Sequence, residues 1–353
     1  ILYSMFNSWE DVWCERVYSP WTDLDRIMRE QKIPLFGLES QEPVKEMDFL
    51  GITLQYEMCY TNILQILELS QIPLLAAERG EDMPVVIGGG PCTYNPEPIA
   101  DFLDLFYIGE GETQYRRLLD WYVENRKQGG TRQEFLRGAA QIPGIYVPQF
   151  YEELYHEDGT ISGRRKLYEE LPDRVRKEIV TDVSDTYYPL KPVVPFIKVT
   201  QDRVVLEIQR GCIRGCRFCQ AGYAYRPVRA RSPRRLVEQG IAACKDSGYQ
   251  EMTLSSLSTS DYRALESLCD GLLDWCEPNK VSLSLPSLRA DNFSLGLMER
   301  VQHVRKSGLT FAPEAGTQRL RDVINKNVTE EEILRSCRTA FSGGWSTVKL
   351  YFM

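Results

Sequence analysis

The chain has 353 residues, of which 43% are hydrophobic and 26% charged, a composition typical of soluble globular proteins rather than disordered chains. Its 50 acidic residues outnumber its 42 Lys and Arg, and the net charge of −8 excludes a nucleic-acid binder held by overall positive charge. The sequence has only two histidines, which nearly excludes a His-ligated metal centre. No basic-then-apolar signal and no apolar run of about 18 residues occurs, so we expect a cytoplasmic protein without membrane contact. The ten cysteines are then thiols or metal ligands rather than disulfides.

The length suggests about two domains. We predict a Rossmann-like parallel-sheet domain over residues 1–130, a hairpin and Pro-rich connector over 131–200, and a partial (β/α) barrel over 201–353. The chain begins without an initiator Met and ends inside an apolar, strand-like run. We therefore expect a fragment of a longer protein, truncated at both ends.

Strand-like and helix-like segments alternate along the first 130 residues, as in a parallel α/β layer fold. Apolar runs predict strands at 49–54, 84–87 and 105–108, and helical periodicity predicts helices near 61–67 and 115–122. The second strand runs into Gly88-Gly89-Gly90, and the third into Gly109-Glu110-Gly111-Glu112. Such glycines let a flat ligand or a phosphate approach the backbone, or they only form turns, and the absence of G-x-G-x-x-G spacing leaves both interpretations open.

Residues 149–167 predict a β-hairpin that turns at Gly159, and three prolines between 187 and 196 predict an extended connector. From residue 203 a second α/β series begins. Strands are predicted at 204–209, 251–255, 281–285, 308–312 and 347–352, with helices at 232–247, 261–275, 295–305, 317–324 and 329–341. Five such β units predict a partial parallel barrel. Lys349 and Tyr351 alternate on the last strand, and periodicity does not decide whether they face into the barrel.

The strongest chemical signal is a group of three cysteines with C-x3-C-x2-C spacing, in the loop after the first strand of the barrel. The motif is Cys212-Ile213-Arg214-Gly215-Cys216-Arg217-Phe218-Cys219. Three thiolates can hold three corners of a [4Fe–4S] cluster and leave one iron open to another ligand. Active sites of barrels are built from such loops at the carboxyl ends of strands. A zinc site would need a fourth ligand nearby, and Cys244, the nearest candidate, lies within a predicted helix. Chance clustering of core cysteines poorly explains three of them in one Gly- and Arg-rich loop.

With an aromatic residue before its last Cys, this motif resembles that of the radical S-adenosylmethionine (SAM) superfamily. The resemblance implies that Cys212, Cys216 and Cys219 ligate the cluster and that Phe218 packs near the adenine of SAM. It also implies that the amine and carboxylate of SAM chelate the open iron. Reductive cleavage, with electrons from a reductant such as ferredoxin or flavodoxin, would then give a 5′-deoxyadenosyl radical.

Two further segments fall where the superfamily contacts SAM. Ser255 and Ser256 stand where a Gly-Gly-Glu often binds the methionyl amine, a departure in which hydroxyls replace the usual groups. Glu314, within Pro313-Glu314-Ala315-Gly316-Thr317, resembles the carboxylate that touches the ribose or the amino-acid end of SAM. Its alternative role is to cap the helix that starts near Thr317.

The N-terminal half resembles the cobalamin-binding-type domain that precedes many radical SAM barrels. Motifs that carry this resemblance are Gly88-Gly89-Gly90-Pro91, Asn95-Pro96-Glu97-Pro98 and Gly109-Glu110-Gly111-Glu112. The whole chain resembles one uncharacterised family of such two-domain proteins, with matches at Glu15-Arg16-Val17, Ala77-Glu78-Arg79-Gly80-Glu81-Asp82 and Gln209-Arg210-Gly211-Cys212. The resemblance implies that a bound cobalamin would lie beside Thr53, Leu54, Gly88, Gly89 and Gly90. The D-x-H-x-x-G loop of many such domains is absent, and it would precede the first residue of this chain.

The segment from Arg210 to Arg235 contains eight arginines and no Lys, Asp or Glu, a local reversal of the net negative charge. One interpretation is that these arginines neutralise an anionic cluster, bind the carboxylate of SAM and pair with surface acids. The other is that they recognise an anionic substrate, RNA included, at the barrel mouth.

These observations predict a radical SAM enzyme that abstracts hydrogen or transfers a methyl group with cobalamin, although the sequence assigns no residue to substrate. One alternative is an enzyme like the methylthiotransferases that modify tRNA. Its additional Cys cluster is not evident, because Cys14, Cys59 and Cys92 are dispersed. The other alternative is a non-catalytic iron–sulfur or zinc-binding module, which would not cleave SAM.

Overall fold

A computed structural model describes residues 1–286, 288–289, 295–301, 304 and 308–353, and the chain divides into two compact units, Ile1–Val180 and Thr181–Met353. The second unit begins before residue 200 because the connector is bonded to it. The carbonyl of Val183 accepts a hydrogen bond from Arg231, and the hydroxyl of Tyr188 donates to the carbonyl of Val205. Among the described residues, no helix has both the length and the apolar character that a membrane crossing requires.

The first unit is built around a four-stranded sheet of order β1-β2-β3-β4, in which β1, β2 and β3 are parallel and β4 is antiparallel. Its elements are α1 (Leu2–Phe6), α2 (Thr22–Gln31), β1 (Phe49–Thr53), α3 (Tyr60–Leu69), β2 (Val85–Gly89), β3 (Leu105–Tyr107), α4 (Tyr115–Lys127), α5 (Arg132–Ala139), β4 (Ile145–Tyr146), β5 (Tyr151–Tyr155) and β6 (Ile161–Lys166). The three predicted parallel strands and the hairpin β5–β6 are therefore present. Helix α3 starts at Tyr60 because a 3-10 turn over Glu57–Cys59 runs directly into it. Thr61 and Asn62, which the sequence suggests as capping residues, therefore lie in its first turn and do not cap it.

Both faces of this sheet are buried, as in other parallel α/β layers. Val86 and Phe106 pack on one face with Leu67 of α3, whereas neighbouring strand residues pack on the other face. That second core joins Val85, Ile87, Leu105 and Tyr107 to Leu118 of α4 and to Phe135 and Leu136 of α5. Covered on both faces, the sheet leaves its strand ends as the places where ligands can reach the backbone.

The second unit contains a parallel sheet of order β11-β10-β7, a parallel pair β12–β13 and a short antiparallel pair β8–β9. Its elements are β7 (Val204–Glu207), β8 (Gln209–Arg210), α6 (Ala221–Ala224), β9 (Arg229–Ala230), α7 (Pro233–Ser247), β10 (Glu251–Ser255), α8 (Leu265–Cys276), β11 (Ser282–Ser284), α9 (Leu295–Val301), β12 (Leu309–Glu314), α10 (Gln318–Val323), α11 (Glu330–Ser342) and β13 (Val348–Phe352). The five predicted β units of a partial barrel are all present. The predicted helix 295–305 is described as far as Val301, and His303 lies outside the described residues.

One face of these strands forms the core with the helices. Leu206, Met252 and Leu254 lie in this core with Leu236 of α7 and Leu268 of α8. Because side chains alternate along a strand, Glu207, Thr253 and Ser255 lie on the opposite face. On β13, Lys349 is paired with Thr310, in alternation with the core residue Leu309. Lys349 and Tyr351 are therefore on the face away from the helices, which the sequence pattern did not decide.

Candidate functional site

The cysteine loop begins at the carboxyl end of β7, and the β8–β9 pair closes its base. Gly211 starts the loop in the left-handed region with φ of 79°. A Cβ at this position would lie 2.6 Å from the carbonyl oxygen of Tyr225 and 2.8 Å from that of Pro227. Only glycine fits both the backbone conformation and this close approach. The Gly211-Cys212 step therefore fixes where the first thiol leaves the strand.

Cys212, Cys216 and Cys219 are free thiols that are each partly exposed. The amide N–H of Arg214 donates to Sγ of Cys212, and the amide N–H of Gly222 donates to Sγ of Cys219, both at 3.4 Å. Among the described residues, no three His, Cys, Asp or Glu side chains are already arranged as a metal site. The three thiols therefore lie on one loop, but they do not point at a common centre in this structure. Three soft sulfur donors with N–H donors beside them fit an anionic iron–sulfur cluster better than a hard cation.

The cysteine loop is clamped to the segment that follows β10. Nε of Arg214 donates to Oδ2 of Asp261 at 2.9 Å, and Ser258 Oγ donates to the same oxygen at 2.7 Å. Burial raises the pKa of the Asp261 carboxyl, but the hydrogen bonds from Arg214 and Ser258 and the positive charge of Arg289 outweigh it and leave the pKa below its usual value. The predicted helix 261–275 starts at Leu265, because Asp261 ends a 3-10 turn and its carboxylate is committed to Arg214. The sequence interpretation missed this role of Asp261.

A second contact to the cysteine loop comes from the last residue of α10, Val323, and from the connection that follows it toward α11. The amide N–H of Arg217 donates to the carbonyl of Ile324 at 3.0 Å, and Nδ2 of Asn325 donates to the carbonyl of Gly215 at 2.7 Å. The Arg217 guanidinium also donates to the carbonyl of Val323. Asn325 has φ of 54°, a conformation that Asn adopts more readily than most residues. In the sequence, the only indication of this contact is that Asn325 lies between two predicted helices, 317–324 and 329–341.

Asn325→Gly keeps the left-handed backbone and removes the side-chain amide. We expect it to lower the free energy that stabilises the native position of the cysteine loop by about 1 kcal/mol. In the variant with a bound cluster, a chelator should then remove the iron about fivefold faster than from the wild-type protein. Asn325→Ala should be worse, because it adds backbone strain. Asn279→Ala is the matched control, since Asn279 donates over the same 2.7 Å to the carbonyl of Trp275, away from the cysteine loop. Equal rates in all four proteins would show that Asn325 does not hold the loop.

The residues that the resemblance assigns to SAM lie at the carboxyl ends of the strands. Phe218 is 42% exposed on the cysteine loop. Ser255 ends β10, and Ser256 is hydrogen-bonded through its hydroxyl to Thr259 at 3.1 Å. Glu314 ends β12 with φ of 67°, and its Oε1 accepts a hydrogen bond from Nζ of Lys326 at 3.2 Å. Thr317 caps α10 with its own hydroxyl, so Glu314 is not needed as the cap.

Each of the eight clustered arginines has a partner within the second unit. Arg210 and Arg231 pair with Glu207, Arg214 pairs with Asp261, Arg234 and Arg235 pair with Glu238, Arg217 and Arg229 donate to backbone carbonyls, and Arg226 lies over the ring of Tyr223. These contacts agree with the part of the first interpretation in which the arginines pair with acidic side chains. Recognition of an anionic substrate stays a prediction.

The residues expected beside a cobalamin lie at the carboxyl ends of β1 and β2. Thr53 is exposed, but Leu54 is 2% exposed and donates its amide N–H to the carbonyl of Gly89. A Cβ on Gly88 would lie 2.6 Å from Cδ2 of Leu103 and 2.8 Å from Cδ1 of Leu54, and one on Gly90 would lie 2.9 Å from the carbonyl oxygen of Leu54. The space beside Gly88 and Gly90 is therefore filled by this chain's own residues, whereas a Cβ on Gly89 would meet only the hydroxyl of Tyr115, at 3.5 Å. That these positions lie beside a cobalamin stays a prediction.

The Gly109-Glu110-Gly111-Glu112 segment also serves the fold of the first unit. Gly109 has φ of 120°, and a Cβ there would lie 2.3 Å from the carbonyl oxygen of Glu178. The carboxylate of Glu110 accepts a hydrogen bond from the amide of Val180 at 2.7 Å. These contacts join the segment after β3 to the end of the unit.

Residues 1–148 match the family model described as the N-terminal region of radical SAM proteins, and residues 206–353 match the model of the radical SAM superfamily. An uncharacterised protein of Methanocaldococcus jannaschii is 31% identical over 326 residues, which cover 92% of this chain. The chain spans 62% of the length of that relative.

Two solved structures share the fold. TsrM from Kitasatospora setae, a radical SAM methyltransferase with cobalamin and a [4Fe–4S] cluster bound, matches with a TM-score of 0.56 and 13% identity, over 94% of this chain and 61% of its own. OxsB, a cobalamin-dependent SAM radical enzyme with aqua-cobalamin and SAM bound, matches with a TM-score of 0.53 and 14% identity, over 87% of this chain and 40% of its own. The α/β fold expected from the sequence is confirmed. The two family models together cover most of the chain, which therefore belongs to the radical SAM superfamily of enzymes that its cysteine motif resembles.

Proposed function

We propose that this chain contains the cluster- and SAM-binding core of a radical SAM enzyme that acts by hydrogen abstraction. The observation that carries the proposal is the cysteine loop, which offers three thiols at the carboxyl end of the first barrel strand. Cys212, Cys216 and Cys219 would hold a [4Fe–4S] cluster. When bound, the cluster supplies the electron that cleaves SAM into methionine and a 5′-deoxyadenosyl radical.

The chain's own residues position these groups. The N–H donors of Arg214 and Gly222 stabilise negative charge on Cys212 and Cys219. The Arg214–Asp261 pair fixes the loop from the 3-10 turn after β10, and Asn325 fixes it from the connection between α10 and α11. Lys326 holds Oε1 of Glu314, so that Oε2 is the oxygen offered to the cofactor. The polar face of β10, with Thr253 and Ser255, lies away from the helical core and is where a substrate would meet the cofactor.

The test is anaerobic cluster reconstitution of the wild-type protein and of Cys216→Ala. The wild type should hold about four iron atoms, show an EPR signal that shifts when SAM is added, and form 5′-deoxyadenosine under reductant. Cys216→Ala should lose the signal and the product. Cys59→Ala is the matched control, because Cys59 is an exposed free thiol of the first unit. A bound zinc ion, or a cluster whose signal ignores SAM, would leave a non-catalytic binding module.

Cobalamin-dependent methyl transfer is the second candidate, and the fold likeness to TsrM and OxsB favours it. The filled space around Gly88 opposes it. The protein expressed with cobalamin should purify with corrin absorbance if this candidate is correct. Absence of corrin from a preparation that cleaves SAM would leave hydrogen abstraction.

We also propose a cellular location, an electron donor and a class of substrate for this protein. The ten thiols are free, which suits a reducing cytoplasm with ferredoxin or flavodoxin as electron donor. An anionic substrate is proposed to meet the exposed Arg234.

A further inference from the structure

The first unit contains a cavity of about 570 Å³ that no part of the proposed radical chemistry uses. The segment after β2 lines it with Tyr94 and Glu97, the residue after β3 with Ile108, and the β5–β6 hairpin with Tyr151 and Arg164. In α/β sheets, ligands bind outside the carboxyl ends of the strands. The volume is within the range of about 300–1,000 Å³ that small-molecule sites occupy.

The acidic groups of this cavity are already neutralised by the chain. Glu97 accepts hydrogen bonds from the hydroxyl of Tyr146 at 2.7 Å and from Arg164 at 2.5 Å. Asp173 is paired with Nζ of Lys166 at 2.8 Å. The carboxylates therefore do not attract a cationic ligand.

Two further basic residues line the cavity, Arg174 and Lys177. No ion pair or hydrogen bond joins the Arg174 guanidinium to any other residue that the structure describes. Nζ of Lys177 lies 5.8 Å from the centre of the Tyr94 ring, which places positive charge beside a flat aromatic wall. A guanidinium binds phosphate and carboxylate oxygens in pairs, and tyrosine rings pack against flat apolar groups.

We propose that this cavity binds a small molecule that combines an aromatic ring with an anionic group, a phosphate or a carboxylate. The ring packs against Tyr94, because Arg164 already lies over the rings of Tyr146 and Tyr151, and the anion is held by Arg174. A corrinoid is much larger than the drug-sized ligands that a cavity of 570 Å³ holds. The site is therefore separate from the residues discussed for cobalamin, none of which lines the cavity.

The proposal is tested by calorimetric titration of the protein with two pairs of probes. Adenosine monophosphate and adenosine differ in a phosphate, and indole-3-acetate and indole differ in a carboxylate. At least one anionic probe should bind about tenfold or more tightly than its uncharged partner, and which one binds identifies the anion. Arg174→Gln should weaken that binding about tenfold.

Arg176→Gln is the matched control, because Arg176 is also exposed and lies two residues away without lining the cavity. It should bind the probe as tightly as the wild type. The proposal is overturned if neither anionic probe binds more tightly than its uncharged partner, or if both substitutions weaken binding equally. Since only binding is measured, a failure here is distinct from a failure to cleave SAM.

Discussion

Asp104→Asn is expected to lower the free energy of unfolding of the first unit by about 3–5 kcal/mol, because it removes the charge that balances a buried arginine. Oδ2 of Asp104 lies 2.8 Å from both Arg79 and Arg132 and also accepts the amide N–H of Val86 at 2.7 Å. The side chains of Arg79 and Asp104 are fully buried. Burial lowers the pKa of the Arg79 guanidinium, and the charge of Asp104 opposes this. Without Asp104 an uncompensated cation would remain in the core.

The measurement is hydrogen exchange in urea, followed in peptides that cover β2 and β3. This readout reports the first unit by itself, which matters because two compact units need not unfold together. Asp120→Asn is the matched control, since Asp120 pairs with Arg116 on the exposed face of α4 and its loss should change little. A similar small effect at Asp104 would mean that water or a rearranged neighbour compensates Arg79.

Helices and strands with a clear hydrophobic periodicity, or with Gly, Pro or polar residues at their ends, were predictable from the sequence. The strands of both units were located because buried parallel strands are short apolar runs bounded by Gly, Pro and polar residues. Strand β10 has the predicted bounds, Glu251–Ser255. The start of α8 was placed at Asp261 instead of Leu265, because an acidic residue before an apolar period indicates a helix N-terminus. Here a tertiary ion pair with Arg214 takes that carboxylate.

The cysteine loop was found from spacing alone, whereas its supports were not. Asn325 lies more than one hundred residues from Gly215, and no local pattern connects them. No local pattern connects Arg79 to Asp104 either, although they are only 25 residues apart. The segment Ala77–Asp82 was recognised as a family match, but its physical role became clear only when the fold brought Arg79 to Asp104. Long-range polar contacts such as these depend on the topology of the fold, and local sequence patterns do not show which distant residues will meet.

Asp261→Asn is expected to loosen the cysteine loop, so that the reconstituted protein retains well under half of the wild-type iron after chelation. The Arg214 guanidinium would lose its carboxylate partner, at a cost of about 1–3 kcal/mol for a hydrogen-bonded charge. The measurement is iron content after a fixed exposure to chelator, together with urea unfolding of the apoprotein. Asp270→Asn is the matched control, because Asp270 of α8 makes an exposed pair with Arg300 of α9. Iron retention equal to that of the control would show that the Arg214–Asp261 pair does not hold the cysteine loop.

The pH dependence of this clamp follows from the direction of the pKa shift. The pKa of Asp261 is lower in the folded chain than its usual value, so its contribution to stability is complete above the unfolded pKa of about 3.9. That contribution is lost as the pH falls through the lower, folded pKa. The stability difference between wild-type and Asp261→Asn apoproteins should therefore be constant from about pH 8 to pH 5 and shrink only below about pH 4. A difference that fell between pH 7 and pH 6 would assign the effect to another group, because an ionised Asp261 bound to Arg214 and Ser258 does not titrate there.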